Sequence, residues 1–240
     1  MDNSTRKRGR AVAAMVAAAS VGLSMSAVVR MALAAPPEKS LPKMTVELPR
    51  DVLIFPASVS AGSGDAAGQM SPSAKQAQEL VTNAFRNKLG QAGIGVVVYN
   101  KRLPSIQRSV AEGSIKAEQA AAGPGDDPRA SLQLATLAGA AEYLTIDVQN
   151  YKYDANTRTA TFNVSVERNS AETGGAALAT VAKPAVGTAP ADVSMAHQEG
   201  SAVAHASEQL ADEVFQDLYP QIAQMQEAKM MKSAPASKKK

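Results

Sequence analysis

Apolar positions along this chain recur with two periods, and the points where the period changes divide it into elements. Asp51-Val52-Leu53-Ile54-Phe55-Pro56 is an unbroken apolar run, the pattern of a strand covered on both faces. Ser58–Ser71 is rich in Gly and Ser and reads as loop. Pro72 then suits the first turn of a helix with Ser71 as N-cap. Ala77, Leu80, Val81, Ala84, Phe85 and Leu89 fall on one face of that helix, and Gly90 marks its end. Ile94–Tyr99 is a second buried strand. Leu103–Ala122 has sparse apolar positions at helical spacing, weakened by Gly113, and Gly123–Asp127 breaks it. Pro128–Ala138 predicts a short helix closed by Gly139.

From Tyr143 the period falls to two. Tyr143, Thr145, Asp147, Gln149, Tyr151 and Tyr153 alternate with Leu144, Ile146, Val148 and Asn150. Asp154–Thr157 supplies turn chemistry, and Arg158–Glu167 alternates again, which predicts an antiparallel hairpin. Glu172-Thr173-Gly174-Gly175 turns the chain toward a third strand, Ala176–Ala182. Pro184–Ser201 is poor in bulky apolar residues and reads as irregular. Ser201–Met225 has helical spacing, with Pro220 splitting it at Tyr219. The order predicts an α/β (α+β) fold: a single mixed β-sheet with parallel crossovers and an antiparallel hairpin, helices packed on it.

The N-terminus follows a different logic. Four basic residues within the first ten precede Ala11–Val29, nineteen residues without a charge. Ala32 and Ala34 then stand at the small-residue positions of a cleavage site, so a signal peptide would be cut between Ala34 and Ala35. A retained membrane anchor is the competing reading, but Ala, Ser and Gly dominate the stretch and make it weakly apolar for a permanent span. The expected organisation is a signal peptide over 1–34, a linker over 35–44, an α/β domain over 45–226 and a disordered Lys-rich tail over 227–240. Such a protein works in the periplasm or elsewhere in the cell envelope, touching membrane only through an uncleaved N-terminal segment.

Composition narrows the function classes. The net charge of +3 comes from the ends, since residues 35–228 alone carry −6. That argues against a nucleic-acid partner, which needs positive charge on the folded surface. The absence of cysteine removes disulfides, a thiol nucleophile, an N-terminal lipid anchor and Cys-ligated zinc. There are 47 alanines and no tryptophan, so burial rests on the Val, Ile and Leu runs.

Candidate chemistry is sparse. Gly62, Gly64 and Gly68 lie between a strand and a helix, which invites a small-ligand or nucleotide loop. Their spacing is one residue longer than the dinucleotide fingerprint, the loop lacks a P-loop lysine, and gaps separate the glycines from both elements. A flexible connection is the plainer reading. His197 and His205 stand two helical turns apart, too far for one metal without converging ligands. Asp126 and Asp127 in a Gly-Pro break suit a loop and an N-cap. No catalytic constellation, cofactor site or metal site is expected.

The motifs nevertheless resemble a family group: the N-terminal domain of the translocation protein TolB, the curli-secretion lipoprotein CsgG and related penicillin-binding-protein activator lipoproteins. The residues that carry the resemblance are Val52–Pro56, Asn87-Lys88-Leu89-Gly90, Gly95–Tyr99, the small-residue entry Ala138–Leu144 and the turn Glu172-Thr173-Gly174. They span about residues 45–225. The resemblance implies a non-enzymatic envelope module that binds partner proteins of the envelope or assembles into complexes, a homo-oligomer among them. Neither a lipid anchor nor a pore-forming hairpin carries over. A ligand-binding protein using the glycine loop and a membrane-tethered scaffold are the alternatives.

Overall fold

A computed structural model describes residues 51–60, 71–125 and 127–233. All of them belong to one compact unit, Met44–Lys240. The elements are β1 (Val52–Ile54), β2 (Ser58–Val59), α1 (Pro72–Gln91), β3 (Val96–Val98), α2 (Pro104–Ala111), α3 (Ala117–Ala122), α4 (Pro128–Ala138), β4 (Glu142–Asp154), β5 (Thr159–Ser170), β6 (Ala176–Thr188), α5 (Met195–Leu218) and α6 (Pro220–Ser233). They form the expected α/β fold with one mixed sheet, ordered β3-β1-β4-β5-β6, and β2 also pairs with β4. β1 runs parallel to β3 and β4, whereas β4, β5 and β6 are an antiparallel meander.

Two cores meet at the sheet. Val52, Ile54, Leu144, Ile146 and Val148 join Phe162, Val164 and Val166 beneath α1 and α5 in the larger one. Leu53, Phe55, Tyr99, Tyr143 and Leu134 form the smaller one beneath α2–α4. Each buried Val, Leu or Ile contributes about 1.5–3 kcal/mol, so the alternation in β1 ties both layers to one strand.

Several local expectations change. Ser58–Val59, read as loop, pairs parallel with Asp147–Val148. Leu103–Ala122 divides into α2 and α3, because Gly113 takes a φ of 76° between them. The third strand runs past Ala182 to Thr188, and α5 begins at Met195, so most of the segment read as irregular is regular. Pro184 is admitted because β6 is an edge strand. Tyr151 and Tyr153 do not share a face with Tyr143. A β-bulge between Gln149 and Lys152, with Asn150 at φ 56°, reverses the alternation and packs both tyrosines against the larger core. Tyr151 then donates to Glu199 Oε1 at 2.6 Å. The break at Tyr219–Pro220 is as expected, and α6 continues to Ser233.

That break is held by side chains. Arg168 donates from Nε and Nη2 to both oxygens of Glu142 at 2.8 and 2.7 Å, and from Nη1 to the Leu218 carbonyl at 2.9 Å. Its guanidinium lies 4.1 Å from the centroid of the Tyr219 ring. Burial opposes the Arg168 charge, but the Glu142 carboxylate and Tyr219 outweigh it and push its pKa up. Burial, then the Glu142 carboxylate, pushes the Tyr219 hydroxyl up from the ordinary value of 10.0; burial and the bond to Glu199 do the same to Tyr151.

Gly187 has a steric role. A Cβ there would overlap the Ala202 carbonyl oxygen and the Ala206 nitrogen, so its absence lets β6 lie directly on α5. Gly187→Ala is therefore expected to destabilise the protein by about 1–3 kcal/mol in urea denaturation, because the obstruction is backbone. Alkaline titration offers a second check. Below pH 10.0 the contributions of Tyr151 and Tyr219 are complete. Above it, unfolded tyrosines ionise while these two stay protonated, so stability falls as pH rises, by up to about 1.4 kcal/mol per pH unit for the more deeply buried Tyr219. Tyr219→Phe should flatten that slope in chemical denaturation at pH 9 to 11, taken as ~1-unit steps.

Candidate functional site

The helix-facing surface of the β4–β5–β6 meander is covered, and its other surface is not. On that other side Thr145 pairs with Glu167, Asp147 with Ser165 and Gln149 with Asn163, while Glu167 pairs onward with Thr180 and Ser165 with Ala182. Gln149, Asn163, Glu167, Thr180 and Ala182 are exposed. At the Tyr143 end, α4 closes over the sheet and leaves a cleft of about 600 Å³ between β2, β4, β5 and the turn at Gly175.

The cleft is built from the two periodicities. Alternation in β4 and β5 aims Tyr143, Thr145, Asp147, Glu167 and Asn169 to one side. Asp147 is oriented from two directions, since Ser58 Oγ donates to its Oδ1 at 2.8 Å and Gln149 Nε2 donates to Oδ2. Ser60 reaches the rim, anchored by its backbone N–H to the Val148 carbonyl at 2.8 Å.

Its floor is the cross-strand pair Tyr143 and Asn169. Tyr143 is 2% exposed, with its ring edge-on to Phe55 in the smaller core. Asn169 is 6% exposed. Neither side chain makes a hydrogen bond among the described residues, although both line the cleft. Their polar ends are not sealed off, since no fully enclosed side-chain N or O among the described residues lacks a partner. Burial, and second the Glu167 carboxylate, pushes the Tyr143 hydroxyl up, so it remains a protonated donor. Gly175, at φ 83°, leaves room for that hydroxyl, since a Cβ would sit 3.1 Å from it. The arrangement offers two carboxylates, the Asn169 and Gln149 amides and a phenol to an incoming hydrogen-bonding group, with no basic residue in the lining among the described residues.

The residues singled out by sequence fall elsewhere. Ala34 and Ala35, and Gly62, Gly64 and Gly68, lie outside the described residues, as does Asp126. Asp127 is the N-cap of α4, accepting from the Arg129 N–H at 2.9 Å. His197 and His205 are exposed on α5. Among the described residues no three His, Cys, Asp or Glu side chains gather as a metal site, and no helix is long and apolar enough to cross a membrane. The sequence reading missed the cleft. Its available signal was the polar register of two neighbouring strands, with a Tyr and an Asn at positions that turn out to be buried.

Two tyrosines separate structural from site roles. The Tyr99 hydroxyl donates to the Ala120 carbonyl at 2.7 Å in a buried bond. Tyr99→Phe is expected to cost about 1–2 kcal/mol, whereas Tyr143→Phe should cost less than about 0.5 kcal/mol in the same denaturation assay.

No family model matches the chain, and no curated protein matches it. Among solved structures it is similar to the hypothetical protein CT253 from Chlamydia trachomatis, at 10% identity and a TM-score of 0.43, covering 73% of this chain and 99% of that one. It is also similar to lipoprotein GNA1162 from Neisseria meningitidis, at 17% identity and a TM-score of 0.39, covering 68% and 99%. A third is the LpoB C-terminal domain from Salmonella enterica, at 12% identity and a TM-score of 0.36, covering 58% and 85%. Bacterial lipoproteins are thus among the structures it is similar to, and at these scores the likeness carries no argument about activity.

Proposed function

We propose that this chain is a non-enzymatic, exported module of the bacterial cell envelope that binds another protein through the open face of β4, β5 and β6. The observation that carries the reading is the face itself. Three strands of 13, 12 and 13 residues are packed by helices on one side and present polar groups on the other. At its margin Leu178 and Val186 are 47% and 58% exposed. A polar surface with a few exposed apolar groups is the ordinary make-up of a non-obligate protein interface. The basic, apolar, small-x-small order of residues 1–34 supports export of the module.

The test is position-dependent cross-linking in cells of the producing bacterium. A photo-reactive residue at Asn163 or Thr180, on the face, is expected to trap the same envelope protein, and one at Glu118 on α3 is not. The trapped chain should begin at Ala35. Adducts that do not depend on position, or none from the face, count against the reading; a chain still beginning at its first residues would make it a tethered scaffold.

A further inference from the structure

We infer that the cleft between β2, β4 and β5 recognises a cation, taking the guanidinium or ammonium group of a side chain on the protein partner. The inference rests on the interaction reading above and names what the partner must present. Asp147 and Glu167 both line the cleft, and neither forms an ion pair among the described residues. The carboxylates that do pair, such as Glu142 and Asp217, lie on the helix side of the sheet with Arg168 and Lys183. The acids of the cleft are therefore left for a group from outside.

Two further groups give the cleft the character of a built site. Tyr143 and Asn169 are 2% and 6% exposed, adjacent across the β4–β5 ladder and without side-chain hydrogen bonds among the described residues. Their polar ends open into the cleft, where an incoming group is able to complete them. Asn169 and Tyr143 each bring an accepting oxygen beside their own N–H or O–H donors, and both carboxylates are acceptors only. A planar guanidinium, with five donors and no acceptor, matches this acceptor-rich set best, and an ammonium matches it with three. An anion is disfavoured by the two acids. The volume of about 600 Å³ accommodates one long side chain, and the cleft opens onto the face proposed for the partner.

The experiment uses the full chain, with backbone amide shifts followed by NMR during titration. Three probes are added separately: the peptide acetyl-Ala-Arg-Ala-amide, its citrulline counterpart, which keeps the shape without the charge, and spermidine. The arginine peptide is expected to shift the amides of Tyr143, Asp147 and Asn169 and to bind at least about tenfold more tightly than the citrulline peptide. Glu167→Gln and Tyr143→Phe should each weaken it severalfold while leaving the melting temperature nearly unchanged. Equal affinity for arginine and citrulline, or shifts outside the cleft, overturns the proposal. Binding of spermidine without the arginine peptide also overturns it, by assigning the site to a free polyamine. If Glu167→Gln abolishes peptide binding but Asn163 still traps the partner in cells, the cation site is not the partner's contact, and the interaction reading stands alone. If the peptide binds as expected but no position traps a partner, the interaction reading fails instead.

Discussion

The architecture depends on three consecutive residues that have no exposed surface. Val52, Leu53 and Ile54 are all 0% exposed, and the pleat sends their side chains alternately into the two cores. β1 lies between β3 and β4 and is parallel to both. Parallel strands need crossovers, and those crossovers are α1 on one side and α2–α4 on the other. Two helical layers are thereby fastened to one short strand. Everything C-terminal to it can be long, twisted and half uncovered, because the register of β4 is set where it meets β1.

The cleft follows from where the second layer stops. α2–α4 cover the sheet only near Tyr143, so the polar side of β4 and β5 emerges from beneath α4 into the open. The transition places a buried tyrosine and asparagine next to a half-buried and an exposed carboxylate within one ladder. The opposite face shows the contrasting solution. There Glu142, Arg168 and Tyr219 satisfy one another and anchor the break between α5 and α6 to the sheet. One side of the sheet uses its charges to hold the fold together, and the other leaves them available.

Much of this arrangement was legible in the chain, and the parts that were not have identifiable physical causes. Apolar runs and periods located β1, β3, α1, α4, β4 and β5, since burial on one or both faces imposes those patterns directly. The extension of β6 to Thr188 was hidden because its inward residues are Ala185 and Gly187, small by necessity where α5 lies on the strand. The start of α5 was hidden because its first turns are exposed and carry little periodic signal. The bulge at Asn150 was hidden because Tyr151 and Tyr153 preserve the outward appearance of alternation while changing sides. The cleft required β2, two residues whose pairing lies 89 positions away in the chain. Such a pairing leaves no local trace.

Pro184 bears on how the proposed partner would approach. A sheet edge of 13 residues would ordinarily be a template for a further strand, and hence for uncontrolled aggregation. Pro184 has no N–H to offer, and the register shift opposite Arg168 and Asn169 interrupts the same strand near Leu178. The uninterrupted stretch between these two features is only Ala179–Lys183. An incoming chain therefore gains few backbone bonds along the edge. For the partner proposed above, selectivity would fall to side chains on the broad face, and not to the generic hydrogen bonding that any extended peptide supplies.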